Sequence, residues 1–176
     1  MCRQIRQATV GDIDQIAGLY DVLNDYLAAG TNYPGWRKDI YPTRKDAEAG
    51  LLEGNLYVVT ENDRIAGTVI LSHHPEPAYN SAKWLIECDY SQIIVIHTLA
   101  VHPDFLSKGV GKYIMDFALH HAGAAGMSSV RLDVYEKNMP AIRLYEQSGF
   151  TYIDTVDLGY SQYGLHNYRL YERLVP

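Results

Sequence analysis

The sequence predicts an α+β fold in three layers (α/β/α), a mixed sheet with helices on both faces, in the order β-α-α-β-β-β-α-β-α-β-β. Three observations predict it. Alternating or β-branched segments are interleaved with segments of helical apolar spacing along all 176 residues, with no long linker, charge block or repeat. The run Ile93 to Val101 is β-branched and uncharged, as a central strand covered on both faces requires. The length, finally, fits one domain over residues 1–176 with a full-sized core.

Each element has its own signature. Cys2 to Ala8 alternates weakly and reads as a short first strand. Asp12 opens a helix, with Gln15 at capping-box spacing, and Ile13, Ile16, Tyr20, Leu23 and Leu27 form its apolar stripe. Gly30 ends it. Thr31 to Pro42, with Tyr33, Pro34, Gly35, Trp36 and Tyr41, is an aromatic loop. Thr43 caps a short helix with Asp46 three residues on, and Ala47 and Leu51 point inward. Leu56 to Thr60 and Ile65 to Ser72 are strands joined by the hairpin turn Glu61-Asn-Asp-Arg. In Pro75 to Gln92, Trp84, Leu85 and Ile86 fit either a strand extension or a packed loop. After the central strand, a helix from about Gly109 to Ala125 carries Val110, Tyr113, Ile114, Phe117 and His121 along one stripe. Val130 to Tyr135 is a strand. The last helix has Pro140 in its first turn and Gly149 at its left-handed cap. Strands at about Tyr152 to Leu158 and His166 to Leu174 flank a Tyr- and Gly-rich turn.

Composition narrows the function. Hydrophobic residues are 47% and charged residues 20%, a globular balance that excludes disorder. Ile93 to Ile96 is the longest aliphatic stretch, far short of the roughly 20 residues that span a bilayer. No basic start leads into an apolar run, so no signal peptide and no membrane partner are expected. Cys2 and Cys88 make neither a disulfide framework nor a metal site, which favours a reducing, cytoplasmic location. The net charge of −6 argues against nucleic acid and would attract a cationic small molecule. The 15 tyrosines against 3 phenylalanines suggest a partly polar cleft, because a phenol is aromatic with a hydrogen-bonding tip.

Two segments carry chemistry. Thr98-Leu-Ala-Val-His-Pro-Asp-Phe-Leu-Ser-Lys-Gly-Val-Gly-Lys-Tyr runs from a buried strand through a loop into a helix that begins at Gly109 and Gly111. The N–H groups of a first helical turn lack intrahelical partners, and two glycines let a phosphate approach them. Lys108 and Lys112 either add charge or point into water. The spacing matches neither G-x-G-x-x-G nor a nucleoside-triphosphate loop. The second segment is Val130 to Phe150. Asn138 and Tyr145 are seven apart and share a helix face, about 10 Å apart along the axis. They serve either a ligand lying along the helix, or simply as an N-cap and a core residue beside Ala141, Leu144 and Ser148.

Together these segments resemble the GNAT superfamily of acyl-CoA-dependent N-acetyltransferases. The family's phosphate loop, [QR]-x-x-G-x-[GA], is matched by Leu106-Ser-Lys-Gly109-Val-Gly111, with Leu106 departing at the first position. Leu99-Ala-Val-His-Pro-Asp looks like the family's strand end, and Asn138 with Ala141-x-x-Leu144-Tyr145-x-x-x-Gly149-Phe150 like its later motif. The resemblance implies a GNAT-like, mostly antiparallel mixed sheet whose central strand and the next splay apart. It implies acetyl-CoA as cofactor, with pantetheine on the backbone of Leu99, Ala100 and Val101. The pyrophosphate falls on Leu106, Ser107, Lys108, Gly109, Val110, Gly111 and Lys112, and Asn138, Ala141 and Tyr145 also face the cofactor.

The implied chemistry is direct attack by a primary amine on the acetyl thioester, in a ternary complex. The amine, of pKa roughly 10, must first lose its proton. An N–H near Val101 would serve the oxyanion, and Tyr145 the departing thiolate. The strand has no acid, so His97 is the candidate base; its other reading is a buried histidine with a satisfied hydrogen bond. Glu87 and Asp89 are reserve candidates or solvated loop acids, and His73 and His74 are surface residues or cleft lining. Cys88 has no histidine paired with it in the sequence and reads as an apolar filler rather than an acyl carrier. Tyr33, Trp36, Tyr41, Tyr160 and Tyr163 either form the mouth of an amine cleft or pack on the helices. The acceptor is a small-molecule amine or a protein amino group, and the terminal hairpin offers an edge for a homodimer. Two rival readings are a non-catalytic acyl-CoA-binding module, which Leu106 and the missing strand acid favour, and a binding domain that shares only the scaffold.

Overall fold

A computed structural model describes residues 2–176. Its strands are β1 (Arg3–Gln7), β2 (Leu56–Glu61), β3 (Arg64–Ser72), β4 (Ile93–Val101), β5 (Ser129–Tyr135), β6 (Thr151–Val156) and β7 (Tyr168–Leu174). The helices are α1 (Ile13–Ala29), α2 (Arg44–Leu52), α3 (Val110–Ala124) and α4 (Met139–Gln147). Leaving aside short 3-10 turns, the order is the one expected from sequence. The strands form one mixed sheet in the order β1-β2-β3-β4-β5-β7-β6. β4 and β5 run parallel, because α3 carries the chain back between them. Among the described residues, no helix is long and apolar enough to cross a membrane.

The chain divides into two compact units. The first comprises residues up to Asn32, Trp36–Leu71 and His97–Phe117. Here α1 and α2 bury Ile16, Leu19, Tyr20, Leu23 and Ala47 against Leu56, Val58 and Ile65. The hairpin turn holds Asn62 and Asp63 at φ of 52° and 60°, the paired left-handed conformation that a two-residue hairpin needs. A register shift at Val59/Thr60 interrupts the alternation of faces. Beyond it Thr68 faces α1, 3.5 Å from the Tyr20 hydroxyl, whereas Gly67 faces α3. A Cβ on Gly67 would lie 2.9 Å from Val110 and 3.1 Å from the Ala100 carbonyl, so the helix seats this closely only on a glycine. Helices thus cover both faces of this part of the sheet.

The second unit comprises Tyr33–Gly35, Ser72–Ile96 and Ala118–Pro176. On one face of its sheet, Tyr171 donates to Glu146 of α4 at 2.9 Å. The other is covered by residues 77–92, which resolve into a packed loop with 3-10 turns at Pro77–Ser81 and Tyr90–Gln92, not a strand extension. Tyr79, Ile93, Val95 and Leu170 form the core there, with Trp84 and Cys88 packed on it.

Several local expectations hold. Thr43 and Asp46 form a capping box, Gly30 follows the last residue of α1, and Gly149 has φ of 84°. One is corrected. The capping box before α1 joins Thr9 to Asp12, one turn earlier than the Asp12–Gln15 pair, and Arg6 clamps Asp12 at 2.7 and 2.9 Å. Gln15 instead accepts from the Ile65 N–H, which the hairpin would otherwise leave without a partner beside the register shift.

Candidate active site

Within the first unit the predicted cofactor residues lie on one continuous path. At its start Thr98 has φ of 49°, a conformation that a β-branched residue rarely adopts. Its buried side chain is hydrogen-bonded to the Tyr41 hydroxyl, which ties the aromatic loop to the central strand. Trp36 packs edge-on against Tyr41 at 5.6 Å, so two of the predicted substrate residues meet. His97, just before the kink, is half-buried and has a partner. Leu99 and Val101 are half-buried on either side of buried Ala100.

The chain then turns sharply. His102 donates its N–H to the Ala66 carbonyl at 2.9 Å, and its Nδ1 accepts from the Asp104 N–H at 3.1 Å. Burial pushes this imidazole's pKa below its ordinary value, against the opposing pull of Asp104. Leu106 follows in extended conformation, and Ser107 and Gly109 both take positive φ, 59° and 78°. The first N–H to close a turn of α3 is that of Tyr113, onto the Gly109 carbonyl at 3.0 Å. The N–H groups at the helix start therefore precede any intrahelical partner.

Arg3 fixes this loop. Its guanidinium donates to the Lys108 carbonyl at 3.0 Å and to buried Glu61 at 2.9 Å, and Tyr113 donates back to the Arg3 carbonyl at 3.3 Å. Sequence reading missed Arg3, because its partners lie 58 and 105 residues away. Of the two lysines, Lys112 is paired with Asp116 at 2.6 Å and Lys108 sits over the Phe105 ring at 5.5 Å. Both lysine side chains are thus engaged by neighbours on the loop and helix. A Cβ at Gly109 would meet nothing nearer than Arg3 at 3.8 Å, which leaves that backbone open to approach.

The second unit carries the rest. Asn138 caps α4, its side-chain oxygen accepting from the Ala141 N–H at 3.4 Å, and Pro140 lies in the first turn. Tyr145 is buried, with its ring 6.3 Å from Phe150. Burial and then the charge of Asp133 raise its phenol well above the ordinary value, so it stays protonated at neutral pH. The aromatic loop and the last hairpin meet here, since a Cβ on Gly35 would collide with Leu165. Tyr33 is exposed, Tyr163 is half-buried, and Tyr160 packs on Tyr168 at 5.8 Å. Pairing of β4 with β5 runs from Ile93↔Ser129 to Ile96↔Leu132, and both strands continue past it.

Glu87 is exposed, and Asp89 caps the Tyr90–Gln92 turn by accepting from the Ser91 N–H at 2.8 Å. His73 is exposed, with Nδ1 2.7 Å from the Ile93 carbonyl, and His74 is exposed too. Cys88 fills the loop core.

The Acetyltransferase (GNAT) family model matches residues 18–150. The chain is 28% identical over 152 residues to an uncharacterized N-acetyltransferase of Methanocaldococcus jannaschii, covering 83% of this chain and 59% of that one. It is 29% identical over 107 residues to a mycothiol acetyltransferase of Thermomonospora curvata, covering 61% of this chain and 31% of that one. The chain spans 21%, 31% and 32% of the length of three such mycothiol acetyltransferases. A GNAT acetyltransferase structure from Streptococcus agalactiae superposes with a TM-score of 0.77 at 22% identity, covering 98% of this chain and 95% of that one. The fold is likewise that of yncA from Salmonella typhimurium, solved with its cofactor acetyl-CoA, at a TM-score of 0.71 and 19% identity over 100% and 95% of the two chains. With the family model spanning most of the sequence, the chain belongs to the GNAT acetyltransferase family.

Proposed function

We propose that residues 1–176 form one cytoplasmic acetyltransferase domain that moves an acetyl group from acetyl-CoA to a primary amine by direct attack in a ternary complex. The observation that carries this reading is the backbone at Ser107 to Lys112. There, two positive-φ residues lead into a helix whose first closed turn belongs to Tyr113. Acetyl-CoA, when bound, supplies the activated acetyl thioester. The N–H groups from Leu106 to Lys112 hold its diphosphate, with the helix dipole in support. The backbone of Leu99, Ala100 and Val101 orients the pantetheine arm, and Asn138 and Ala141 bound it.

The remaining roles concern protons. A free amine is protonated at neutral pH, with a pKa of about 10.4, and His97 takes that proton, directly or through water. The Val101 N–H stabilises negative charge developing on the acetyl oxygen. Tyr145 stays protonated and is a weaker acid than a thiol of pKa about 8.5. Its part is therefore to hydrogen-bond the departing thiolate rather than surrender its proton outright. Tyr33, Trp36, Tyr41, Tyr160 and Tyr163 line the approach of the amine.

Calorimetric titration with CoA, followed by a panel of amines read by free-thiol release, tests the reading. CoA binding with turnover and intersecting initial-rate lines is the expected result. Binding without turnover on any amine would leave an acyl-CoA-binding module, and parallel lines would exclude direct attack.

A further inference from the structure

Arg3 stands outside the segments that carry the transfer chemistry, yet it governs one peptide plane of the loop between β4 and α3. Its Nε donates to buried Glu61 of β2 at 2.9 Å, and its Nη2 lies 2.8 Å from the same carboxylate oxygen. Nη2 also donates to the Lys108 carbonyl at 3.0 Å. From α3, Tyr113 donates to the Arg3 carbonyl at 3.3 Å, and its ring centre lies 5.8 Å from the guanidinium carbon. What this fixes follows from covalent geometry. A trans peptide points its C=O and N–H in opposite directions, so anchoring the Lys108 carbonyl on Arg3 aims the Gly109 N–H away from Arg3. The next peptide plane is held by the helix, because the Gly109 carbonyl accepts from the Tyr113 N–H at 3.0 Å. The Lys108–Gly109 plane has no such hold from the helix. Reversing it changes the ψ of Lys108 and the φ of Gly109, and glycine accepts φ of either sign. Gly109 therefore permits its φ of 78° without enforcing it, and the hydrogen bond from Arg3 makes the selection.

We propose that Arg3 is a positioning residue for the cofactor: by holding the Lys108 carbonyl it presents the Gly109 N–H to the diphosphate. With the plane reversed, a carbonyl oxygen would stand where the N–H stood, and its partial negative charge repels a diphosphate. Arginine suits this task because its planar fork reaches a carboxylate and a carbonyl together, which a single ammonium on a flexible stem does not reproduce. Glu61, 3% exposed, aims the fork. This inference rests on the acetyltransferase reading for its ligand, but the tether can be read with no ligand present.

The experiment compares two variants of the full chain with wild type. Arg3→Lys keeps a cation beside Glu61 but loses the fork, and Arg3→Met/Glu61→Leu removes both charges, so that no buried carboxylate is left unpaired. In amide NMR spectra without ligand, Gly109 should give a single resonance in wild type and a shifted or doubled one in both variants. Calorimetric titration should show CoA binding weakened about tenfold in both, the loss expected when the competent orientation is populated about one-tenth of the time. Pantetheine, which lacks the diphosphate, should bind all three proteins alike. An unmoved Gly109 resonance in the variants, an unchanged CoA affinity, or equal weakening of CoA and pantetheine would each overturn the positioning role and spare the acetyltransferase reading. A wild type that binds no CoA would overturn that reading instead; a moved Gly109 resonance in the variants would then still uphold the tether, and an unmoved one would remove both.

Discussion

Arg131 and Asp133 stand two residues apart on the same face of β5, yet they are opposite kinds of polar site. Arg131 is 3% exposed and every direction around it is filled. It donates to Glu172 at 2.9 Å, to the Tyr90 hydroxyl at 2.9 Å and to the Ile86 carbonyl at 2.6 Å, and its guanidinium stacks on Trp84 at 4.2 Å. Glu172, fully buried, also accepts from Ser129 and from the Leu85 N–H, at 2.6 Å each. This closed network clasps the loop over residues 84–90 to the sheet. Asp133 accepts the Tyr79 hydroxyl and is itself half-buried. The difference teaches that burial decides what a charge does: a fully buried and fully bonded one holds structure, whereas a half-buried one also answers to solvent.

The sharpest way to break this comparison is to remove the saturated charge. Arg131→Met leaves Glu172 buried without its counter-ion and should cost about 3–5 kcal/mol in urea unfolding. The double variant Arg131→Met/Glu172→Leu should recover part of that loss, because no unpaired charge remains. If the single change were nearly silent, the clasp would not be structural and the distinction from Asp133 would fail.

The open end of the strand should behave otherwise, and Tyr145 reports on it. Tyr145→Phe is expected to lower kcat about 10²-fold, as loss of one hydrogen-bond donor to the leaving group does, with little change in the CoA dissociation constant. A purely core tyrosine would give the reverse, a change in unfolding free energy with turnover intact. Next in size comes Asp133→Asn, which should shift stability by about 1 kcal/mol or less, since Tyr79 retains an acceptor. A cost comparable with that of Arg131→Met would mean that Asp133 too is structural.

The contrast also explains what the sequence could and could not disclose. Element order was legible because apolar spacing is local: Ile13, Ile16, Tyr20, Leu23 and Leu27 are all buried on α1 as their intervals require. The turn into α3 was legible because Gly109 and Gly111 lie within one contiguous segment. The rest depends on contacts across the chain. Tyr79 meets Asp133 across 54 residues, Tyr41 meets Thr98 across 57, and Gln15 meets Ile65 across 50. Arg131, Asp133 and Tyr135 alternate along one strand face, but nothing local tells the clasped arginine from the half-buried acid. Similarly, Asn138 satisfies the α4 cap, so its sequence position alone fits either a cap or a ligand contact.

A third carboxylate gives the smallest and most graded test. Asp12 accepts both arms of Arg6 at 2.7 and 2.9 Å, whereas Glu172 accepts only the Nε–H of Arg131, and Arg6 is 45% exposed. Its hydrogen bonds to Arg6, with further help from Thr9, lower the Asp12 carboxyl to about 2 from 3.8, against the opposing effect of burial. A folded-state value below the unfolded one stabilises the protein above the unfolded pKa and ceases to do so as pH falls through the folded pKa. The pair's contribution should therefore be complete above about pH 4 and gone below about pH 2. Because solvent screens an exposed pair, it should amount to only about 0.5–1 kcal/mol. Arg6→Gln isolates it without disturbing the Thr9–Asp12 capping box. In urea unfolding, wild type should exceed Arg6→Gln by that margin at pH 7, and the two should converge on acidification. A gap that persists at low pH, or one as large as that for Arg131→Met, would show that burial is not what separates the strong ion pair from the weak one.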